Sequence, residues 1–314
     1  MNANPVSKVL ILDESHEHQL SLKNFCDQNG LVALKPRQGA VMNVLQSNID
    51  LGAILLSEQY GASAEETARI ASDIHRARPE LPIIMRRQTT ASLDDLSEPL
   101  RRAVCAAYVA SDLAALREVV DERIFCLRYP NALLRGIMDI ALSVLTGQFS
   151  GAQIQVDTPY IVHDRLVFGE LFSLMQLESS WCRGYMMLQA EELPLLAVLG
   201  KTKEGNPPFR VVNDLLAELT NLIWGALKNR YLGDPGTSSG AKVPLVVNHK
   251  QKYISFGTEN PQLCFRFTLT HPVSGVATTL YTRFVFNLNW SPDDFTEIPQ
   301  QLAGLVESGE LDLF

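Results

Sequence analysis

Within the first 126 residues, five short apolar runs alternate with five segments of helical pattern. A short apolar run bounded by turn residues is typical of a buried strand. Regular alternation of such strands with helices predicts a parallel, doubly wound sheet with helices on both faces. We therefore expect an α/β domain here. The strands are predicted at 7–13, 31–34, 53–57, 82–85 and 106–110, and the helices at 17–29, 39–47, 64–77, 93–103 and 113–125.

The rest of the chain is richer in strands, which predicts a second domain of α+β class with a mostly antiparallel sheet. The domains are expected at 1–126 and 127–290, followed by a tail at 291–314. Besides the helix described below, helices are predicted at 131–146 and 191–199, and strands at 152–156, 171–178, 181–189, 242–248, 252–256, 262–270 and 276–287.

Composition narrows the class of protein. The 314 residues suggest about two domains. The net charge of −8 argues against nucleic acid or an anionic membrane as a partner, because either would favour a basic surface. No leader and no run long enough to span a membrane is found, so a cytoplasmic protein is expected. The five cysteines form no C-x-x-C pair, which favours buried reduced thiols over disulfides or a zinc site.

The segment 209–231 has apolar residues at the i, i+3, i+4, i+7 spacing of an amphipathic helix. A polar stripe runs along its other side. A solvated surface is the simplest explanation of such a stripe, but asparagine is a poor helix former, which favours a functional reason for its presence. The stripe consists of Asp214, Glu218, Asn221, Gly225 and Lys228, which step by four, three, four and three.

The spacing Asp214-x3-Glu218-x2-Asn221-x22-Pro244 resembles, at every position, the motif D/S-x3-E-x2-N-x22-P of the CheC/CheX/FliY chemotaxis phosphatases. The resemblance covers about residues 130–290, and its single motif copy is more like CheX than CheC. It implies an enzyme that hydrolyses the phospho-aspartate of a phosphorylated CheY-like response regulator.

The resemblance also implies a role for each motif residue. Asn221 would position the attacking water, because a carboxamide can accept one hydrogen bond and donate another. Glu218 would pair with the lysine of the target receiver. Asp214 would belong to the substrate-binding edge or to the fold, and Pro244 would shape the neighbouring loop or strand. The target would bring its own Mg²⁺, so this chain is expected to bind no metal and no cofactor.

Residues 1–126 resemble the receiver domain of a response regulator, which has a flavodoxin-like fold. The segment KVLILDE at residues 8–14 is similar to the first strand of a receiver and the acidic pair that follows it. In a working receiver this pair, here Asp13 and Glu14, binds Mg²⁺. The rest of the receiver chemistry is missing. The third strand ends without the accepting Asp, the fourth ends in Arg86-Arg87 where Thr or Ser is expected, and the fifth has no Lys near Val109.

We therefore interpret this segment as a degenerate pseudo-receiver that accepts no phosphate. The sequence leaves open whether Ser57 or Glu58 occupies the acceptor position. If Glu58 occupies it, its fixed negative charge could mimic a phosphate, although an ordinary surface residue is the simpler interpretation of Glu58.

Two other functions fit the same residues. One is an adaptor that binds phosphorylated regulators without hydrolysing them. The other is a purely structural adaptor, in which Glu218 and Asn221 would be buried. A homodimer is also expected, because the long strand at 276–287 would make an exposed sheet edge.

Overall fold

The computed structural model describes most of the chain. None of its described helices is long and apolar enough to cross a membrane. The predicted strand at 252–256 and the tail beyond residue 298 lie outside the described residues. These are 4–37, 39–47, 50–163, 166–199, 208–233, 243–249 and 260–298, without the side chains of 208 and 287–289.

The first 126 residues alternate strands and helices as predicted. The strands pair in parallel in the order second, first, third, fourth, fifth, which is a doubly wound α/β arrangement. Alternate residues of the first strand enter different hydrophobic clusters, Val9 on one face and Leu10 on the other. The elements are β1 (Val6–Leu12), α1 (His16–Gln28), β2 (Leu31–Leu34), α2 (Val41–Ser47), β3 (Leu51–Ser57), α3 (Ala64–Ala77), β4 (Ile83–Arg87), α4 (Glu98–Ala103), β5 (Ala106–Val109) and α5 (Leu113–Arg123).

Helix α3 shows how local sequence sets an element boundary. The Ser63 hydroxyl accepts a hydrogen bond from the backbone N–H of Glu66 at 3.2 Å, and the Glu66 carboxylate accepts one from the N–H of Ala62 at 2.9 Å. These bonds satisfy amide groups that the first turn of a helix leaves free. The helix therefore begins at Ala64, as the sequence predicts.

The remaining elements form a set of antiparallel ladders. Two long helices, α6 and α8, pack together on this part of the sheet. The elements are α6 (Asn131–Gln148), β6 (Gln153–Val156), β7 (Tyr160–Val162), β8 (Leu171–Glu178), β9 (Cys182–Ala190), α7 (Glu192–Leu199), α8 (Pro208–Leu227), β10 (Leu245–Asn248), β11 (Gln262–Thr270) and β12 (Ala277–Trp290).

The two sets of strands join into one sheet, which the sequence did not predict. Strand β7 pairs in parallel with β1, aligning Tyr160 with Val6 and Ile161 with Ser7, while its other edge pairs with β11. The Ser7 hydroxyl donates to the carbonyl of Ile161 at 3.0 Å, and a Cβ at Gly52 would lie 1.8 Å from that hydroxyl oxygen. Within the described residues the result is a 12-stranded sheet of mixed parallel and antiparallel ladders, where a separate, mostly antiparallel second sheet was expected.

The prediction that the last long strand forms a free edge is wrong. Strand β12 lies inside the sheet, between β9 and β11, and pairs with both. Its backbone is therefore paired on both sides from Leu280 to Phe284, and the expected homodimer loses the edge on which it was based. Among the described strands on the main path, β10 and β5 are the outermost.

Candidate functional site

Helix α8 has one face in the hydrophobic core and one face in solvent. The apolar spacing predicted a single buried stripe, and the structure confirms most of it, although Leu222 of the predicted stripe is exposed. After α8 the chain makes one π-helical turn and leaves it at Gly233, whose φ of 66° suits a residue without a Cβ. The buried apolar residues are Val212, Leu216, Leu219, Ile223 and Leu227.

Two hydrogen bonds fix α8 on strand β8, on either side of Asn221. The buried hydroxyl of Thr220 bonds to that of Ser173 and donates to the carbonyl of Leu216 at 2.7 Å. The indole N–H of Trp224 donates to the carbonyl of Gln176 at 3.2 Å. The backbone of Asn221 is thereby held in one register on the sheet, which is the rigid support that a positioned side chain needs.

Glu218 and Asn221 are both exposed on α8, as predicted. Since they are three residues apart, their side chains lie next to each other on one face of the helix. Within the described part of the chain, no hydrogen bond engages the exposed carboxamide of Asn221. Asp214 is also exposed, one turn before Glu218.

Glu218 has one partner that the sequence analysis missed. The side-chain Nε2 of Gln148 donates a hydrogen bond to Glu218 Oε1 at 3.0 Å. The helix predicted at 131–146 stops before Gln148, whereas α6 includes this residue. Helical spacing relates residues of one helix only, so it could not have found this contact between helices.

Pro244 is half-buried and immediately precedes β10, a strand that contacts α8. Apolar side chains surround this part of the molecule. Val243 is 79% exposed and Leu245 is 58% exposed, and Leu222, the neighbour of Asn221, is 42% exposed. The polar stripe of α8 thus lies beside apolar surface, a combination typical of protein-binding sites.

A second group of polar residues lies at the carboxyl ends of the parallel strands. Arg86 donates from Nε to Asp13 Oδ2 at 2.6 Å and from its guanidinium to Asp13 Oδ1 at 3.1 Å. It also donates to the Ser57 hydroxyl at 2.9 Å. All three side chains are buried. The arginine therefore takes the position beside Asp13 that a cation would need.

Ser57, and not Glu58, points into this group. Glu58 turns the other way, where its carboxylate accepts hydrogen bonds from Arg87 Nε at 3.1 Å and from the backbone N–H of Gln88 at 3.0 Å. Arg87 also forms a paired bond with Asp95, which lowers the pKa of that carboxyl to about 2. Of the two residues that the sequence left open, Ser57 is thus the one whose side chain lies in the group around Asp13.

The residues at these strand ends do not fit Mg²⁺. That ion requires near-octahedral oxygen ligation, but Arg86 already engages both carboxylate oxygens of Asp13. Throughout the described residues, no group of three His, Cys, Asp or Glu side chains could hold a metal ion. Two arginines ending a buried strand were a signal for this arrangement, since buried arginine requires an acidic partner.

We therefore expect residues 1–126 to accept no phosphate. Incubation of the protein with Mg²⁺ and a small acyl-phosphate donor should leave its intact mass unchanged, because a serine hydroxyl bonded to arginine replaces the accepting carboxylate. A working receiver domain treated in parallel is the positive control. A stable gain of one phosphate on residues 1–126 would contradict this prediction.

No protein-family model matches the sequence, and no curated protein matches it. Solved structures similar to the chain include CheC-like and CheX chemotaxis proteins and a CheY-like receiver domain. The chain is 15% identical to CheX from Desulfovibrio desulfuricans, with a TM-score of 0.37 over 49% of this chain and 99% of that one.

Two further structures are similar to the chain. A CheX–CheY–BeF3–Mg complex from Borrelia burgdorferi is 15% identical, with a TM-score of 0.33 over 48% of this chain and 96% of the other. A CheY-like response-regulator receiver domain from Methanospirillum hungatei is 20% identical, with a TM-score of 0.31 over 38% of this chain and 96% of the other.

Proposed function

We propose that this protein hydrolyses the phospho-aspartate of a partner response regulator. The observation that carries the proposal is the joint exposure of Glu218 and Asn221 on a helix fixed to the sheet. The complete motif from Asp214 to Pro244 supports the same assignment. The proposed substrate is a folded receiver domain, which would dock on the polar stripe of α8 and the apolar surface beside it.

The reaction needs little acid–base chemistry, because an acyl phosphate is already activated. Water attacks the phosphorus in line, the bond between phosphorus and the aspartate oxygen breaks, and the aspartate leaves as a carboxylate. The proton of the water passes to the released phosphate or to solvent. What the protein must supply is the position of the water. The Asn221 carboxamide suits this role, because its oxygen accepts a hydrogen bond from the water while its nitrogen donates another.

Glu218 supplies charge complementarity and register. A carboxylate beside Asn221 can form a charge-assisted hydrogen bond with a lysine of the target. That bond would fix the phosphorus relative to the carboxamide, one turn of helix away. Mg²⁺, where the reaction uses it, belongs to the target receiver in this scheme.

A purely structural role for the motif helix fits the geometry poorly. A structural role would require Glu218 and Asn221 to lie in the core, whereas both side chains are exposed. An adaptor that binds phosphorylated receivers without turnover differs from the proposed enzyme only in catalysis. Turnover is therefore the property to measure.

The test is phosphate release from a panel of phosphorylated receivers of the same organism, with and without this protein at substoichiometric concentration. We expect at least one receiver to lose its phosphate faster, with many turnovers per molecule of protein. The same receivers with the Asn221→Ala variant serve as the control. Binding of phosphorylated receivers with unchanged phosphate lifetimes would contradict the proposed enzyme and identify an adaptor.

A further inference from the structure

The hydrogen bond between Gln148 and Glu218 links two helices that are distant in sequence. Helices α6 and α8 run antiparallel, since Tyr231, just after α8, donates through its hydroxyl to the carbonyl of Ala132 near the start of α6 at 3.2 Å. The last residue of α6 consequently lies beside the middle of α8. Gln148 Nε2 reaches Glu218 Oε1 at 3.0 Å there.

The backbone at Gln148 is well fixed. The flanking residues Leu145 and Phe149 are buried in the same core as α8. The backbone N–H of Phe149 donates to the carbonyl of Leu145 at 2.8 Å, which closes the last turn of the helix. Because this backbone is fixed, the Gln148 side chain can hold the Glu218 carboxylate in one position.

An exposed glutamate otherwise samples many rotamers, and ordering such a side chain on binding costs free energy. The bond from Gln148 selects one set of these rotamers before any partner arrives. It engages Oε1, and no described residue bonds to Oε2, which leaves that oxygen to accept from an incoming donor. Because the glutamine is neutral, it adds no positive charge that would compete with an incoming cation for the carboxylate.

We propose that Gln148 is a positioning residue, which holds the Glu218 carboxylate ready to receive the cationic side chain of the docked receiver. The role rests on the proposed function, because it serves the same docking step. It adds a residue from α6 to a site that the sequence motif confines to α8 and the segment at Pro244. Gln148 acts through Glu218 and does not contact the reacting atoms.

The geometry predicts a specific kinetic signature. A residue that prepares the docking carboxylate affects formation of the complex, whereas Asn221 affects the chemical step. For Gln148→Met, which keeps the length of the side chain and removes the bond, KM for a phosphorylated receiver should rise about 3- to 10-fold. The value of kcat should stay within about twofold, and Tm should be unchanged because the bond is exposed.

The chain offers a matched control. Gln28 is the exposed last residue of α1, as Gln148 is the last residue of α6, so Gln28→Met makes the same change far from the motif. This variant should keep the wild-type KM and kcat.

The outcomes separate this role from the proposed function. Wild-type KM in the Gln148→Met protein, with an active wild-type protein, would overturn the positioning role alone. A fall in Tm that accompanies the rise in KM would also overturn it, since the bond would then be structural. Absence of turnover by the wild-type protein on every receiver would instead refute the proposed function, and the role of Gln148 with it.

Discussion

Asn221→Ala is expected to lower kcat for dephosphorylation of the partner receiver by at least about 100-fold, because misplacement of an attacking group by even a small distance has effects of that size. The thermal stability of the protein should not change. The side chain is exposed, and the anchors of α8 are Thr220 and Trp224. Alanine is also the better helix former. Phosphate release under multiple turnover and thermal unfolding are the two measurements.

The control for this variant is Asn43→Ala, which removes an exposed carboxamide from helix α2 in the first half of the chain. Its activity and Tm should both match the wild type. Activity of the Asn221→Ala protein within twofold of wild type would refute the water-positioning role. A large fall in its Tm would show that the residue is structural.

Arg86→Met is expected to lower the free energy of unfolding by about 3–5 kcal/mol, because removal of one partner leaves a buried carboxylate uncompensated. Asp13 is only 3% exposed and would lose both bonds to the guanidinium. The Ser57 hydroxyl would lose its donor as well. Denaturant unfolding followed by circular dichroism measures the loss.

Two further variants test the origin of this effect. Arg69→Met breaks an exposed ion pair with Asp73 and should cost no more than about 1 kcal/mol. Asp13→Asn combined with Arg86→Met should recover much of the loss, since the amide oxygen can still accept the backbone N–H of Ser15. A cost below 1 kcal/mol for Arg86→Met alone would mean that the ion pair does not stabilise the strand ends.

Elements with strong local signals could be predicted from the sequence. Helix α3 and strand β8 have the predicted boundaries, because apolar periodicity and local turn signals suffice for elements of that length. Strand β7 was missed because its three residues are too few to show a period. Its partner β1 is also about 150 residues away in sequence, so no local signal relates the two.

In the candidate site, too, some features could be predicted from the sequence and others could not. Helical spacing places Glu218 and Asn221 on one face, and burial of the opposite stripe then exposes them. The contacts of Gln148 and Arg86 depend on how separate elements meet, which spacing along one element does not encode. Arg86 was noticed only as the absence of Thr or Ser, although its charge beside a strand-end acid was informative.

The parallel pairing of β1 with β7 also determines how the chain can be divided. A fragment that ends at residue 126, the predicted domain boundary, would lack β7. Val6 and Ser7 would then have no paired strand on that side. The other fragment would keep β7 with a bare hydrogen-bonding edge. Bare edges recruit strands from other molecules. Fragments made at that boundary should therefore self-associate, and the uncut chain is the form in which either half keeps its native surface.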